Sequence, residues 1–151
     1  MAKLKADFTK ETLAKADASA GRLLFTKHCA SCHKLFGTGA EIGPDLTGAG
    51  RSDMDYLLSN IVDPSAVVAK DFQITVFQLA DGRTVSGIVM VENDRTVTVQ
   101  TPTEKVTIAK KEIDSRKASA LSLMPDGLLQ PLSQKELRDL FKYLQSPSQV
   151  P

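Results

Sequence analysis

Two thiols and two imidazoles are the only ones in this chain of 151 residues, and all four lie between positions 28 and 33. The run is His28-Cys29-Ala30-Ser31-Cys32-His33, which contains the spacing C-x-x-C-H. That spacing fits covalent haem attachment, in which each thiol adds to one porphyrin vinyl group. Two intervening residues span the distance between the vinyls, and the histidine next in line turns its imidazole to the iron. Three other readings use the same residues. A dithiol redox site calls for a strand before the motif and a helix after it. Here "SAGRLLFTKHC" has helical spacing and a glycine-rich stretch follows. A zinc site needs a second ligand pair, and both histidines sit beside these same cysteines. Two unremarkable thiols are the third alternative. The fixed offsets favour one haem c, held by Cys29 and Cys32, with His33 on its iron.

An iron with one histidine needs a second axial ligand. His28 adjoins Cys29 and cannot cross the ring that Cys29 anchors, so we read it as an exposed helix residue. The thioethers are Met1, Met54, Met90 and Met124. Met1 is a terminus, Met54 starts a helix, and Met90 reads as core filler in a strand. Met124 lies in the loop "LSLMPDGL", where Pro125 holds the backbone extended and Gly127 permits a turn. A soft thioether there suits iron and raises its potential. The competing role for Met124 is to plug a gap beneath the loop. His33 also needs its second ring nitrogen held by an acceptor. Pro44, in the glycine-rich "GTGAEIGPDLTGAG", offers a carbonyl aimed by a fixed φ.

These groups must be positioned by helices at both ends of the chain. A helix over Ser19–Cys29 brings Leu23, Leu24 and Phe25 to helical spacing. Ser52 or Asp53 caps a second helix with Tyr56, Leu57, Leu58, Ile61 and Val62 on its stripe, ended by Asp63-Pro64. A third runs from about Ser133 to Leu144, with Ser133 and Glu136 as a capping box. Between them the period changes to two. Strands are expected near 72–79, 84–91, 96–100 and 105–109, with Asp81-Gly82 as a primed hairpin turn. The fold class is therefore mostly α around a covalent haem with a small antiparallel sheet of about four strands, α+β overall. Residues 1–17 are an N-terminal extension, and 18–151 form one domain interrupted at about 72–114.

Composition narrows the function. Hydrophobic residues make up 42% of the chain, net charge is +1 and Trp is absent. The charge balance argues against nucleic acid, which needs a basic face. No apolar run approaches the roughly 18 residues of a membrane span. The N-terminus lacks the apolar core of a secretory leader. Covalent haem attachment takes place on the exported side, so a leader has been removed or the piece belongs to a longer exported chain. The periplasm is the expected compartment.

The same residues resemble a class I cytochrome c. In that family a helix with glycine and phenylalanine precedes C-x-x-C-H, as Gly21 and Phe25 precede Cys29–His33. Its Gly-Pro-x-Leu is similar to Gly43, Pro44 and Leu46, and the resemblance implies that the Pro44 carbonyl receives the His33 N–H. Its axial methionine corresponds to Met124, and its C-terminal helix carries Tyr143 and Leu144. The β segment departs from that pattern and, with "IGPDLTG" and "SLMPDGL" around it, is similar to the planctomycete-type haem-binding domain. Absence of Trp leaves Arg51 or Tyr56 to meet a haem propionate. The resemblance implies an electron carrier without a catalytic site of its own, working with a dehydrogenase or another cytochrome. Leu46, Leu57, Leu58, Ile61 and Leu123 would keep its pocket dry. The alternatives are a haem-based gas or redox sensor with a labile Met124, and a module that docks through its sheet.

Overall fold

The computed structural model describes residues 1–151. Met1–Asp63 and Asp126–Pro151 form one unit, and Pro64–Pro125 form a second.

The first unit is helical. Helices α1 (Ala2–Asp7) and α2 (Lys10–Ala14) are short, and α3 (Ala18–His28), α4 (Met54–Val62) and α5 (Gln134–Leu144) are longer. Each longer helix starts where a side chain satisfies the free amides of its first turn. Asp17 accepts from Ser19 and Ala20, and Asp53 accepts from Asp55 and Tyr56. Ser133 and Glu136 cap each other reciprocally at α5. At Asp63 the backbone leaves the helical region ahead of Pro64, which ends α4.

The core of this unit joins Phe25 of α3, Leu57 and Leu58 of α4, and Leu137, Leu140, Phe141, Tyr143 and Leu144 of α5. Close approach of α3 to α5 depends on Gly21. A Cβ there would lie 1.9 Å from the Asp139 carbonyl oxygen and 2.8 Å from Tyr143 Cβ. Phe25 and Tyr143 then meet with ring centroids 5.6 Å apart. The buried Asp139 carboxylate adds a polar tie, accepting from the Asp17 amide at 2.8 Å and from Lys135 Nζ at 2.7 Å. Leu23, expected on the apolar face of α3, is 72% exposed. Its neighbour Phe25 takes the inward position, because a stripe at helical spacing admits only one of the two.

Residues 1–17 carry structure that the sequence reading leaves undescribed. Phe8 is buried and stacks on Phe141 with centroids 4.4 Å apart. Asp7 pairs with Arg138 through both carboxylate oxygens. The guanidinium holds the Asp7 carboxyl below the usual carboxylate range.

The second unit is a five-stranded antiparallel sheet of β1 (Ile74–Leu79), β2 (Thr84–Glu92), β3 (Thr96–Gln100), β4 (Lys105–Ala109) and β5 (Ile113–Ser119). The order is β4-β3-β2-β1-β5. Phe77, Leu79, Val97, Val99 and Ile108 form its core. The count is one more than expected. β5 reads "IDSRKAS", with only its end residues partly buried, so its sequence lacks the alternation of a half-buried strand. It becomes a strand by pairing with β1 from Ile74↔Ser119 to Leu79↔Ile113. The β1–β2 turn also differs from expectation. Only Gly82 has positive φ, at +88°, and Leu79 N donates to Arg83 O, so the loop has three residues and not two. Met90 is 38% exposed beside a register shift between Val89 and Val91, and so does not fill the core.

Gly21→Ala is expected to destabilise the helical unit by about 2 kcal/mol, as an added methyl must push α3 off α5. Urea unfolding followed by helical circular dichroism checks this, and an unchanged midpoint would contradict the close packing.

Candidate functional site

The cysteine–histidine motif begins where α3 stops. Cys29 is the C-cap residue, and its amide donates to Phe25 O while its carbonyl accepts from Cys32 N and His33 N. This local turn sets the two thiols three positions apart on a tight curve. Both cysteines are unpaired and half-buried. Cys29 packs against the same apolar cluster as Ala30, Phe36 and Leu46.

The glycine-rich stretch folds back along the motif. Ala40 N donates to Ala30 O, Gly43 N to Cys32 O and Leu46 N to Lys34 O, at 2.7–2.9 Å. Two alternate carbonyls of the motif and that of Lys34 just after it thus hold successive points of the returning chain, and Pro44 arrives beside His33. His33 Nδ1 lies 2.9 Å from Pro44 O. A carbonyl oxygen only accepts, so Nδ1 carries the proton and Nε2 keeps a free lone pair. Gly43 lies against the same imidazole. A Cβ at that position would be 2.6 Å from His33 Cε1 and 3.0 Å from Nδ1. Any other residue would push the ring off its acceptor.

The loop is braced from outside. Phe36 adopts φ +50°, uncommon for an aromatic residue, with its amide donating to Thr47 Oγ1 at 2.9 Å. Arg51 is buried and its guanidinium lies over the Phe36 ring, 4.8 Å from the centroid. It donates to the carbonyls of Leu46, Thr47, Leu144 and Ser146, linking the loop to the end of α5. Arg51 therefore serves the backbone, which argues against its suggested role toward a propionate. Tyr56 is 41% exposed and Gly50 lies against its ring. The sequence did not mark Arg51 as a brace, since only the fold brings residues 46, 47, 144 and 146 to one guanidinium.

Burial, with the neighbouring Cys32 contributing, pushes the Cys29 thiol up to about 12. A dithiol redox catalyst needs a lowered thiol pKa, so this environment argues against that alternative. No group of three or more His, Cys, Asp or Glu side chains comes together as a metal-binding cluster, so the zinc reading lacks its ligand set. The arrangement suits a haem. Two free thiols sit beside apolar packing, a fixed tautomer leaves one imidazole nitrogen with a lone pair, and a residue without a side chain flanks the ring. His28 is half-buried in the last turn of α3, where the sequence suggests an exposed residue. Cys29, Cys32, His33, Pro44 and Leu46 are thus brought together within the helical unit. Met124 belongs to the second unit, half-buried in the loop after β5.

Residues 18–77 match the family model for cytochrome c. The match opens at α3, includes the motif and its loop, and ends in β1. A cytochrome c domain implies covalent haem c with iron and electron transfer with a redox partner. Comparison with curated proteins gives no match. Among solved structures, one of the pleiotropic translational regulator Hfq is similar at 18% identity, covering 47% of this chain and 97% of that chain, with a TM-score of 0.30. A score that low carries no argument. No helix is long and apolar enough to cross a membrane.

Two outcomes check this geometry in the haem-free chain. Gly43→Ala is expected to break the His33–Pro44 bond, read as mixed tautomers in the ring nitrogen shifts; a single Nδ1–H tautomer would contradict it. Alkylation of Cys29 should rise about tenfold per pH unit between about pH 8 and 10, because its thiol is still protonated there. A plateau near pH 9, followed by peptide mapping, would mark an ordinary thiol.

Proposed function

We propose that this chain is a class I c-type cytochrome that carries single electrons through one covalently held haem with His33 and Met124 as axial ligands. The observation that carries the reading is the His33 imidazole, fixed on the Pro44 carbonyl beside two free thiols. Cys29 and Cys32 would hold the group as thioethers. Pro44 O keeps the proton on Nδ1, which leaves Nε2 for iron and raises its basicity. When bound, the haem supplies a one-electron iron couple. Met124 favours the reduced state as a soft ligand, and the apolar packing of Leu46, Leu57 and Leu58 excludes water and acts in the same direction.

On this reading residues 18–151 are one cytochrome domain of the planctomycete type, with the sheet inserted and residues 1–17 an extension. The chain works in the periplasm as a carrier for a redox partner such as a dehydrogenase or another cytochrome. It has no catalytic site of its own.

Optical spectra of the purified holoprotein test it. Alkaline pyridine should give a c-type haemochrome. The oxidised protein should show a far-red thioether-to-iron band that Met124→Ala abolishes, and carbon monoxide should leave the reduced spectrum unshifted. A large carbon monoxide shift in the unmodified protein would replace the carrier with a ligand-sensing module. No haem, from a host able to attach it, would overturn the reading altogether.

A further inference from the structure

The loop that holds Met124 has its own hydrogen-bonded brace. Met124 N donates to Ser122 Oγ at 3.1 Å, and Ser122 N donates to Ser65 Oγ at 3.1 Å. Both bonds are partly buried. Leu121 N donates to Ser119 Oγ at 3.2 Å, one step earlier in the same loop. Ser65 directly follows Pro64, on the segment that enters the sheet, whereas Ser122 lies on the segment that leaves it. The two segments are already neighbours at the end of the β1–β5 ladder, where Ile74 pairs with Ser119. The serine pair continues that closure past the last ladder position.

From this geometry we infer that Ser122 and Ser65 are positioning residues for Met124, and that the inserted sheet serves to present this methionine. The inference rests on the ligand reading proposed above. Its physical basis lies on both sides of the residue. The Met124 amide is tied to Ser122, and Pro125 confines the Met124 backbone to extended conformations. A methionine side chain has three rotatable bonds and a weakly binding sulfur. Fixing its backbone reduces the entropy lost when that sulfur binds. Pairing of β1 with β5 brings residues 65 and 122 together, so folding of the sheet and placement of the methionine are one event.

The test uses the full-length holoprotein in four variants: Ser122→Ala, Ser122→Thr, Ser65→Ala and Met124→Ala. Each is read by the far-red band, by carbon monoxide titration of the reduced form and by the midpoint potential, with circular dichroism as the control for folding. Ser122→Ala is expected to keep its c-type haemochrome and its fold. With Met124 held about fivefold less tightly, the worth of one hydrogen bond, its far-red band should weaken and its potential fall. Carbon monoxide should shift part of a reduced spectrum that it leaves unshifted in the unmodified protein. Ser65→Ala should move the same readouts in the same direction, and it carries the test if Ser122→Ala does not fold. Ser122→Thr keeps the hydroxyl and should restore values close to the unmodified protein.

A wild-type band and potential, with a reduced spectrum that carbon monoxide leaves unshifted, in both alanine variants would overturn the inference. Equal losses in Ser122→Ala and Ser122→Thr would overturn it too, since side-chain volume and not the hydroxyl would then matter. If Met124→Ala abolishes the band while the serine variants change nothing, only the positioning role falls. If Met124→Ala leaves the band intact, the ligand reading falls and takes this inference with it.

Discussion

The bond between His33 Nδ1 and the Pro44 carbonyl is the constraint around which the helical unit is arranged. It selects one tautomer, and so decides which ring nitrogen is free to act. An acceptor eleven residues away in sequence must stay within hydrogen-bond distance for this to hold. The three backbone bonds from Ala40, Gly43 and Leu46 to the carbonyls of Ala30, Cys32 and Lys34 fix the path of the loop. Gly43 lets that path run against the ring, and Arg51 ties the far side of the loop to the end of α5. A net worth of about 1 kcal/mol is typical for one such hydrogen bond. Specificity here comes from many modest bonds agreeing on one geometry.

The α3–α5 crossing supplies the rigid base. Its tightness comes from a missing side chain at Gly21, and its register from the rings of Phe25 and Tyr143. Asp139 is buried with both a backbone amide and a lysine ammonium as partners, so its charge is compensated on each oxygen. Because α3 runs directly into Cys29, any shift of α3 would move the thiols with it. Phe8 and Asp7 extend the same base, stacking on Phe141 and pairing with Arg138 of α5. Residues before α3 therefore contribute to the packing of the helix that α3 crosses.

Much of this was legible in the chain because it depends on local patterns. Caps at Asp53 and Ser133, the break at Asp63-Pro64 and four of the strands follow from side chains acting on their own neighbourhood. The misses share one cause. β5 is a strand through its partner β1, since its polar residues have no inward face of their own. Leu23 and Met90 are apolar, yet which of several apolar neighbours turns inward depends on what packs opposite. α1 and α2 are too short to hold as isolated helices, and what Phe8 packs against appears only once α5 is placed.

Residue types and offsets alone determined the chemistry on offer: two thiols, an imidazole next to them, a proline carbonyl and a loop methionine. That follows because C-x-x-C-H acts within one turn of chain, and reactivity at that range is a property of spacing. Tertiary structure decided what holds those groups in place. Arg51 looked available to a ligand and is taken up by four backbone carbonyls from two distant segments. Ser65 and Ser122 looked like ordinary loop residues and are joined because β1 and β5 pair beside them. Hydrogen bonds between residues fifty or ninety positions apart have no signature in sequence, since their partners become neighbours only when the chain has folded.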